Sequence, residues 1–313
     1  MSMKRTRGYR VGLIAFVLVL LLLPALQGAG LELTTRFDLG NLGFDPDRAS
    51  GDATYSGTDY FWGGTVEVTH GFSERMAIRA GFTRDTVLRN LAYAMVYYNL
   101  DYLSMGLGTI QGFNNTSGAS LKPGLASSVQ LTFPGVMFAR LLFDYSFGSM
   151  LMEDGDYIQN RNELSVGFYV PNAICSLTLQ SKKFFEQQSD TLDVVDSLMR
   201  YSFTADIFQK NAPYRLLFSL AYQTLQKKFI DEVVSPDPVH TLNSLMAGVE
   251  LSIELTRFLT IMLGVDSALL TIGADDLDAL PTNPAPGGYL FQARTGFTLN
   301  FENMKTRRPS AAD

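Results

Sequence analysis

The chain has 313 residues, of which 46% are hydrophobic and only 18% are charged. Soluble proteins usually carry about 25% charged residues, so this composition disfavours a soluble globular domain. The net charge of −6 disfavours nucleic acid as a partner, and the single cysteine, Cys175, excludes an internal disulfide.

The first 30 residues have the pattern of a cleavable signal peptide. Basic residues precede an apolar stretch over 11–23, Pro24 interrupts it, and small residues follow at 28–30. This order is typical of a secretory signal rather than of a membrane-spanning helix. We therefore predict Sec-type export, with residues 1–30 removed. Removal takes away four basic residues, Lys4, Arg5, Arg7 and Arg10, and leaves the mature chain more acidic.

From residue 31 to residue 301, segments of about ten residues alternate apolar and polar side chains, as residues 125–133 show. A β-strand places successive side chains on opposite faces, so each segment has one apolar face and one polar face. The pattern predicts about fourteen strands, at 31–40, 59–70, 75–84, 88–98, 101–112, 121–133, 135–147, 161–170, 172–182, 197–208, 213–224, 242–256, 258–269 and 288–301. Twelve strands is the alternative, because 88–112 could be one longer excursion.

The predicted connections alternate between short turns and long loops, with long loops at 41–58, 113–120, 148–160, 183–196, 225–241 and 270–287. One connection, near 85–87, is short where this alternation requires a long loop. Strands of 9–11 residues with short turns on one side are typical of transmembrane barrels. We therefore predict an all-β fold, a single antiparallel transmembrane β-barrel over residues 31–301, followed by a polar tail at 302–313. Two interfacial aromatic rings are also expected, the one beside the short turns comprising Phe72, Tyr97, Tyr98, Tyr102, Phe133, Phe168, Phe208, Tyr214, Phe258 and Phe301.

These features together resemble the bacterial outer-membrane β-barrel proteins, porins included, in architecture rather than in one motif. The last strand resembles their C-terminal insertion signal, through Tyr289, Phe297, Leu299 and Phe301. The resemblance implies a location in the bacterial outer membrane, contact with its lipid, and recognition by the barrel-assembly machinery. The polar tail departs from the family pattern, in which the aromatic residue ends the chain.

If the apolar faces meet lipid, the opposite faces line the lumen. That set contains nine acids and six arginines, a slight excess that favours cations. The pore-lining candidates are Arg36, Glu67, Arg79, Arg140, Asp144, Glu163, Arg200, Asp206, Arg215, Glu250, Glu254, Asp266 and Arg294. These charges either form rings that tune a water-filled pore or pair with one another to hold neighbouring strands together.

We expect passive diffusion of ions and small hydrophilic solutes through a porin-like channel, with loops 225–241 or 270–287 as the constricting elements. The alternatives are a structural or adhesin-type barrel presenting long loops, and a barrel that transports hydrophobic compounds. An enzyme is not expected, because the two histidines, His70 and His240, fall on opposite sides of the predicted membrane. The sequence predicts no cofactor, and the acidic loop clusters lack the spacing of a calcium loop, so no metal site is predicted.

Overall fold

The computed structural model describes residues 30–42, 60–114, 120–147, 156–189, 192–209, 212–231, 239–272 and 290–301. The predicted signal peptide up to residue 29, Tyr289 and the polar tail at 302–313 lie outside these residues. Among the described residues, no helix is long and apolar enough to cross a membrane.

The described residues form fourteen antiparallel strands, which confirms the first strand count, and 88–112 divides into two strands, so the twelve-strand alternative is wrong. The strands are β1 Leu31–Gly40, β2 Phe61–Gly71, β3 Met76–Asp85, β4 Arg89–Asn99, β5 Leu103–Asn114, β6 Ser120–Phe133, β7 Met137–Ser146, β8 Tyr157–Val170, β9 Ala173–Ser189, β10 Leu192–Phe208, β11 Tyr214–Asp231, β12 Val239–Thr256, β13 Leu259–Ile272 and β14 Phe291–Asn300.

Each strand pairs with its neighbours in the sequence, and β1 pairs with β14, so the sheet closes into a barrel. Leu33 lies opposite Leu299 in the closing pair, and the amide of Phe301 donates a hydrogen bond of 2.9 Å to the carbonyl of Leu31. Because the number of strands is even, the start of β1 and the end of β14 lie at the same end of the barrel. We call it the short-turn end, because the connections 72–75, 100–102, 134–136, 171–172, 209–213 and 257–258 lie there. The opposite end is the long-loop end.

The outer face of the barrel is apolar around its circumference. Large hydrophobic side chains are exposed on every strand from β4 to β13, including Val96, Leu107, Val129, Leu131, Phe143, Leu164, Leu177, Phe203, Phe218, Leu220, Val249, Leu263 and Val265. Such a surface is unfavourable in water and favourable in lipid. Most of the aromatic residues predicted to ring the short-turn end are exposed on this outer face: Phe72, Tyr98, Tyr102, Phe133, Phe168, Tyr214 and Phe258.

Two aromatic residues of the predicted ring face inward instead. Tyr97 packs where Gly106 has no side chain, since a Cβ on Gly106 would lie 2.7 Å from the Tyr97 ring. Phe208 shares the inward face of Asp206, and the Arg215 guanidinium lies 5.5 Å from its ring centroid. An inward aromatic side chain is favourable where the adjacent strand has a glycine, as for Tyr97, or a cation, as for Phe208. Position beside a turn is therefore not sufficient to place an aromatic residue in a ring.

Strands β9 to β12 are 17 or 18 residues long and extend well beyond the predicted limits. Most of the predicted loop 183–196 and both ends of the predicted loop 225–241 are therefore strand, which corrects those two predictions. A row is a set of residues on one face of the sheet that lie opposite one another on adjacent strands. One such outward row is Leu179, Tyr201, Tyr222 and Leu245. The second outward row from it toward the long-loop end is Lys183, Ser197, Gln226 and Thr241. Toward the long-loop end the outer faces of these strands become more polar, before a row of Phe185, Val195, Lys228 and Val239 that is again mostly apolar. The sheet thus continues past the apolar belt toward the long-loop end.

Candidate functional site

The predicted pore-lining residues all lie on the inward face of the barrel, and each predicted arginine has a carboxylate oxygen within 4.0 Å. Arg200 of β10 and Asp266 of β13 belong to strands separated by two others, so their separation of 3.9 Å spans the concave side of the sheet. The other pairs are Arg36 with Asp38 at 3.2 Å, Arg79 with Glu67 at 3.4 Å, Arg140 with Glu163 at 2.5 Å, Arg215 with Asp206, and Arg294 with both Asp266 and Glu250, the last at 3.8 Å. Asp144 pairs with Arg161 at 2.5 Å, and Glu254 lines a cavity at the short-turn end.

The short connection between β3 and β4 turns inward. We call residues 85–89 the β3–β4 turn. The Asp85 carboxylate accepts backbone hydrogen bonds from Val87 at 2.7 Å and Leu88 at 2.9 Å, which closes a tight Asx-type turn. Arg89 follows with a φ of 63°, a conformation that glycine or asparagine normally takes in such turns. A strained arginine here indicates that its side chain contributes contacts that offset the backbone cost.

Those contacts reach across the lumen. The Arg89 guanidinium pairs with Asp196 of β10, and its carbon lies 4.7 Å from the centroid of the Phe184 ring on β9. Lys182 of β9 pairs with Asp85 at the other end of the turn. Gln159 of β8 donates from its side-chain amide to the carbonyl of Leu88. Strands β8, β9 and β10 therefore hold a turn that belongs to the opposite wall.

An apolar row meets the tip of the turn. Leu198, Leu225 and Leu242 lie opposite one another on β10, β11 and β12, and they face inward. Val87 packs into this row together with Leu290, and all five side chains are buried. The turn is thus fixed by apolar contact at its tip and by ion pairs on both sides. It narrows the lumen between β3–β4 and β8–β12 at the level of these residues.

A cavity of about 370 Å³ remains beside the β3–β4 turn and toward the middle of the barrel. Its charged lining side chains are Arg36, Asp38, Asp85, Arg161, Lys182, Arg200, Asp266 and Arg294. A second cavity of about 440 Å³ lies toward the short-turn end, where Asp206, Arg215, Glu250 and Glu254 line it. Arg294 faces the first cavity and Glu250 the second, and their ion pair lies between the two.

Sequence reasoning missed the side chains that hold the turn: Asp85, Arg89, Gln159, Lys182, Asp196 and Lys227. Lys227, which we expected in a loop, is fully buried on β11 with its ammonium nitrogen 3.6 Å from Asp196. Alternation within the predicted strand 172–182 already places Lys182 on the inward face, and continuing it past the ends of 197–208 and 213–224 would have placed Asp196 and Lys227 there. No local signal identifies the partner of Arg89, which is 107 residues away in sequence.

Groups suited to hydrolysis or metal binding are far apart in the described part of the chain. His70 lies near the short-turn end of β2 and His240 near the long-loop end of β12, so they cannot act on one substrate. Within the described residues, no three His, Cys, Asp or Glu side chains come together as a metal site. The predicted acidic loop clusters mostly lie outside those residues.

A closed antiparallel barrel that is apolar outside and charged inside fits a lipid bilayer with every strand edge paired. The chain has the architecture of a bacterial outer-membrane β-barrel. The predicted location in the outer membrane follows from this architecture.

Comparison with known proteins adds similarity in fold. No protein-family model matches the sequence. No curated protein matches it. Among solved structures, the barrel is similar to an outer membrane channel from Pseudomonas putida F1, with a TM-score of 0.49 and 6% identity over 88% of this chain and 96% of that one. It is also similar to a porin (TM-score 0.41, 10% identity, 87% of this chain and 100% of that one) and to a monoaromatic hydrocarbon channel (0.37, 10%, 88% and 89%). Likenesses at these scores carry no argument about function.

Proposed function

We propose that this barrel is an outer-membrane channel through which ions and small hydrophilic solutes diffuse passively. The observation that carries the proposal is the pair of charged cavities inside the closed barrel, of about 370 and 440 Å³. Lipid-facing charges would be costly, and a fully packed core would leave no room for solute. A polar route with space for hydrated ions is what a diffusion channel requires.

The β3–β4 turn is the constriction in this proposal. It occupies the lumen at the level of the row formed by Leu198, Leu225 and Leu242. Its two cross-lumen ion pairs, Arg89 with Asp196 and Lys182 with Asp85, hold it against the opposite wall. A channel built in this way conducts weakly while the turn is in place and more strongly when the pairs are broken.

Planar-bilayer recording of the purified barrel tests both statements. We expect stepwise conductance in the wild type and a several-fold larger step in the double variant Arg89→Gly, Lys182→Gln. Lys183→Gln is the matched control, because Lys183 is adjacent to Lys182 on β9 and faces outward. The absence of steps at any voltage in all three proteins would refute the channel. Equal steps in the wild type and the double variant would refute the role of the turn.

A surface barrel that presents its long-loop end to partners is the second candidate. Beyond the row of Leu179, Tyr201, Tyr222 and Leu245, the next two outward rows of β9 to β12 are mostly polar. Rigid strands that continue beyond the apolar belt can display such a surface. This reading predicts a barrel without conductance whose long-loop end is accessible to protease or biotin labelling on intact cells.

A further inference from the structure

The cavity of about 370 Å³ beside the β3–β4 turn, which we call the middle cavity, is lined by more positive than negative side chains. Its charged lining consists of Arg36, Arg161, Lys182, Arg200 and Arg294 against Asp38, Asp85 and Asp266. Arg84 also borders it, but its guanidinium carbon lies 4.1 Å from the centroid of the Trp62 ring on the outer face, so it does not contribute charge there. Outside this lining, Asp144 pairs with Arg161 and Glu250 pairs with Arg294, so the positive excess belongs to the lining alone.

The carboxylates of this cavity are engaged behind the cations. Asp266 is only 3% exposed and pairs with Arg294, whereas the side chains of Arg36 and Arg200 are 40% and 24% exposed. Asp38 and Asp85 pair with Arg36 and Lys182. A solute entering the cavity therefore meets the guanidinium groups of Arg36 and Arg200 before it meets the carboxylate of Asp266.

Arg200 is the least compensated of these cations. Its nearest carboxylate oxygen is Oδ2 of Asp266, 3.9 Å away, and the other oxygen of that carboxylate, Oδ1, pairs with Arg294. Within the described residues, its guanidinium makes no hydrogen bond. The positive charges of Arg294 and Arg36 both act on Arg200. Arg200 and Arg294 thus share one buried carboxylate, and Arg36, which pairs with Asp38, lines the same open space.

We propose that Arg36, Arg200 and Arg294 form a subsite for a small oxyanion, a phosphate or carboxylate group, on the solute route. This inference rests on the proposed channel function and gives it a solute class. A guanidinium presents a planar fork of N–H donors that matches two oxygens of such a group. The cavity of about 370 Å³ accommodates a small metabolite carrying one of these groups. The second cavity, with three carboxylates and Arg215, is acidic and lacks this property.

Equilibrium binding to the refolded barrel in detergent tests the subsite without requiring conduction. Inorganic phosphate and acetate are titrated separately and followed by calorimetry at low ionic strength. We expect millimolar binding of at least one anion and about tenfold or greater weakening in Arg200→Gln, since a charge-assisted hydrogen bond is lost. Arg36→Gln is the second variant, should Arg200→Gln fail to fold. Lys183→Gln removes one positive charge from the outer face and is expected to bind like the wild type.

The outcomes separate the subsite from the channel. Binding of either anion that is lost in Arg200→Gln or Arg36→Gln supports the subsite and shows which of the two groups it takes. Binding that is absent in the wild type, or unchanged in both arginine variants, overturns it whatever the conductance. A barrel that binds phosphate or acetate in this way but shows no conductance keeps the subsite and refutes the channel.

Discussion

Replacing Arg89 tests whether the β3–β4 turn is strained and held by its side chain. Arg89 combines a φ of 63° with a buried ion pair to Asp196. Removing one partner of a buried pair costs about 3–5 kcal/mol, because the other charge remains buried. Lys227 stays 3.6 Å from Asp196 and compensates part of this charge, so we expect a loss of about 3 kcal/mol in the free energy of unfolding for Arg89→Ala.

Arg89→Gly loses the same ion pair but relieves the backbone strain. A left-handed conformation costs a residue with a Cβ about 1–2 kcal/mol, so glycine at this position removes that cost. The greater flexibility of glycine in the unfolded chain offsets part of this stabilisation. The expected order of stability is therefore wild type, then Arg89→Gly, then Arg89→Ala, with about 1 kcal/mol between the variants. Urea unfolding in lipid vesicles, followed by the fluorescence of the single tryptophan, Trp62, measures this order. An alanine variant as stable as the glycine variant would refute the strain.

Two further predictions concern the wall of the barrel. Gly108→Ala places a Cβ into the carbonyl oxygen of Ala94 on the adjacent strand, so we expect loss of the folded, heat-modifiable band on cold gels. Gly71→Ala is the control and should keep that band, because no atom lies within 4 Å of its Cβ. A folded band in Gly108→Ala would mean that this close approach is unimportant. Phe203→Lys on the outer face is expected to lower the free energy of unfolding by about 2–4 kcal/mol more than Ser202→Lys on the inner face. Equal effects at these neighbouring positions would mean that the outer face does not contact lipid.

The strand order was predictable because alternation is a local signal that a half-exposed strand must carry. Strand ends were less predictable where the outer face becomes polar, as at Lys183 and Gln226, because the alternation between apolar and polar side chains disappears beyond the apolar belt. That loss of contrast made β9 to β12 appear shorter than they are. The charged character of the inner face was predictable, because charged side chains that point into the lumen avoid contact with lipid.

The inward β3–β4 turn was not predictable from local pattern. The sequence shows only that the connection near 85–87 is too short for a surface loop. Its inward direction depends on Asp196 and Lys182, which lie about a hundred residues further along the chain. It also depends on the row of Leu198, Leu225 and Leu242. Inward leucines contradict the rule that the lumen face is polar, and they become explicable once Val87 is seen to pack against them.

Two of the ion pairs of the lumen differ in the strands that they join. Arg140 and Glu163 lie on adjacent strands, so their pair strengthens a contact that the backbone hydrogen bonds already make. Arg89 and Asp196 lie on opposite walls, and in the described part of the chain their pair fixes an element that no backbone–backbone hydrogen bond ties to that wall. Removing the first pair should change stability and leave conductance unchanged, whereas removing the second should change both. The two interpretations of the lumen charges, as strand ties and as pore elements, therefore apply to different residues of the same barrel.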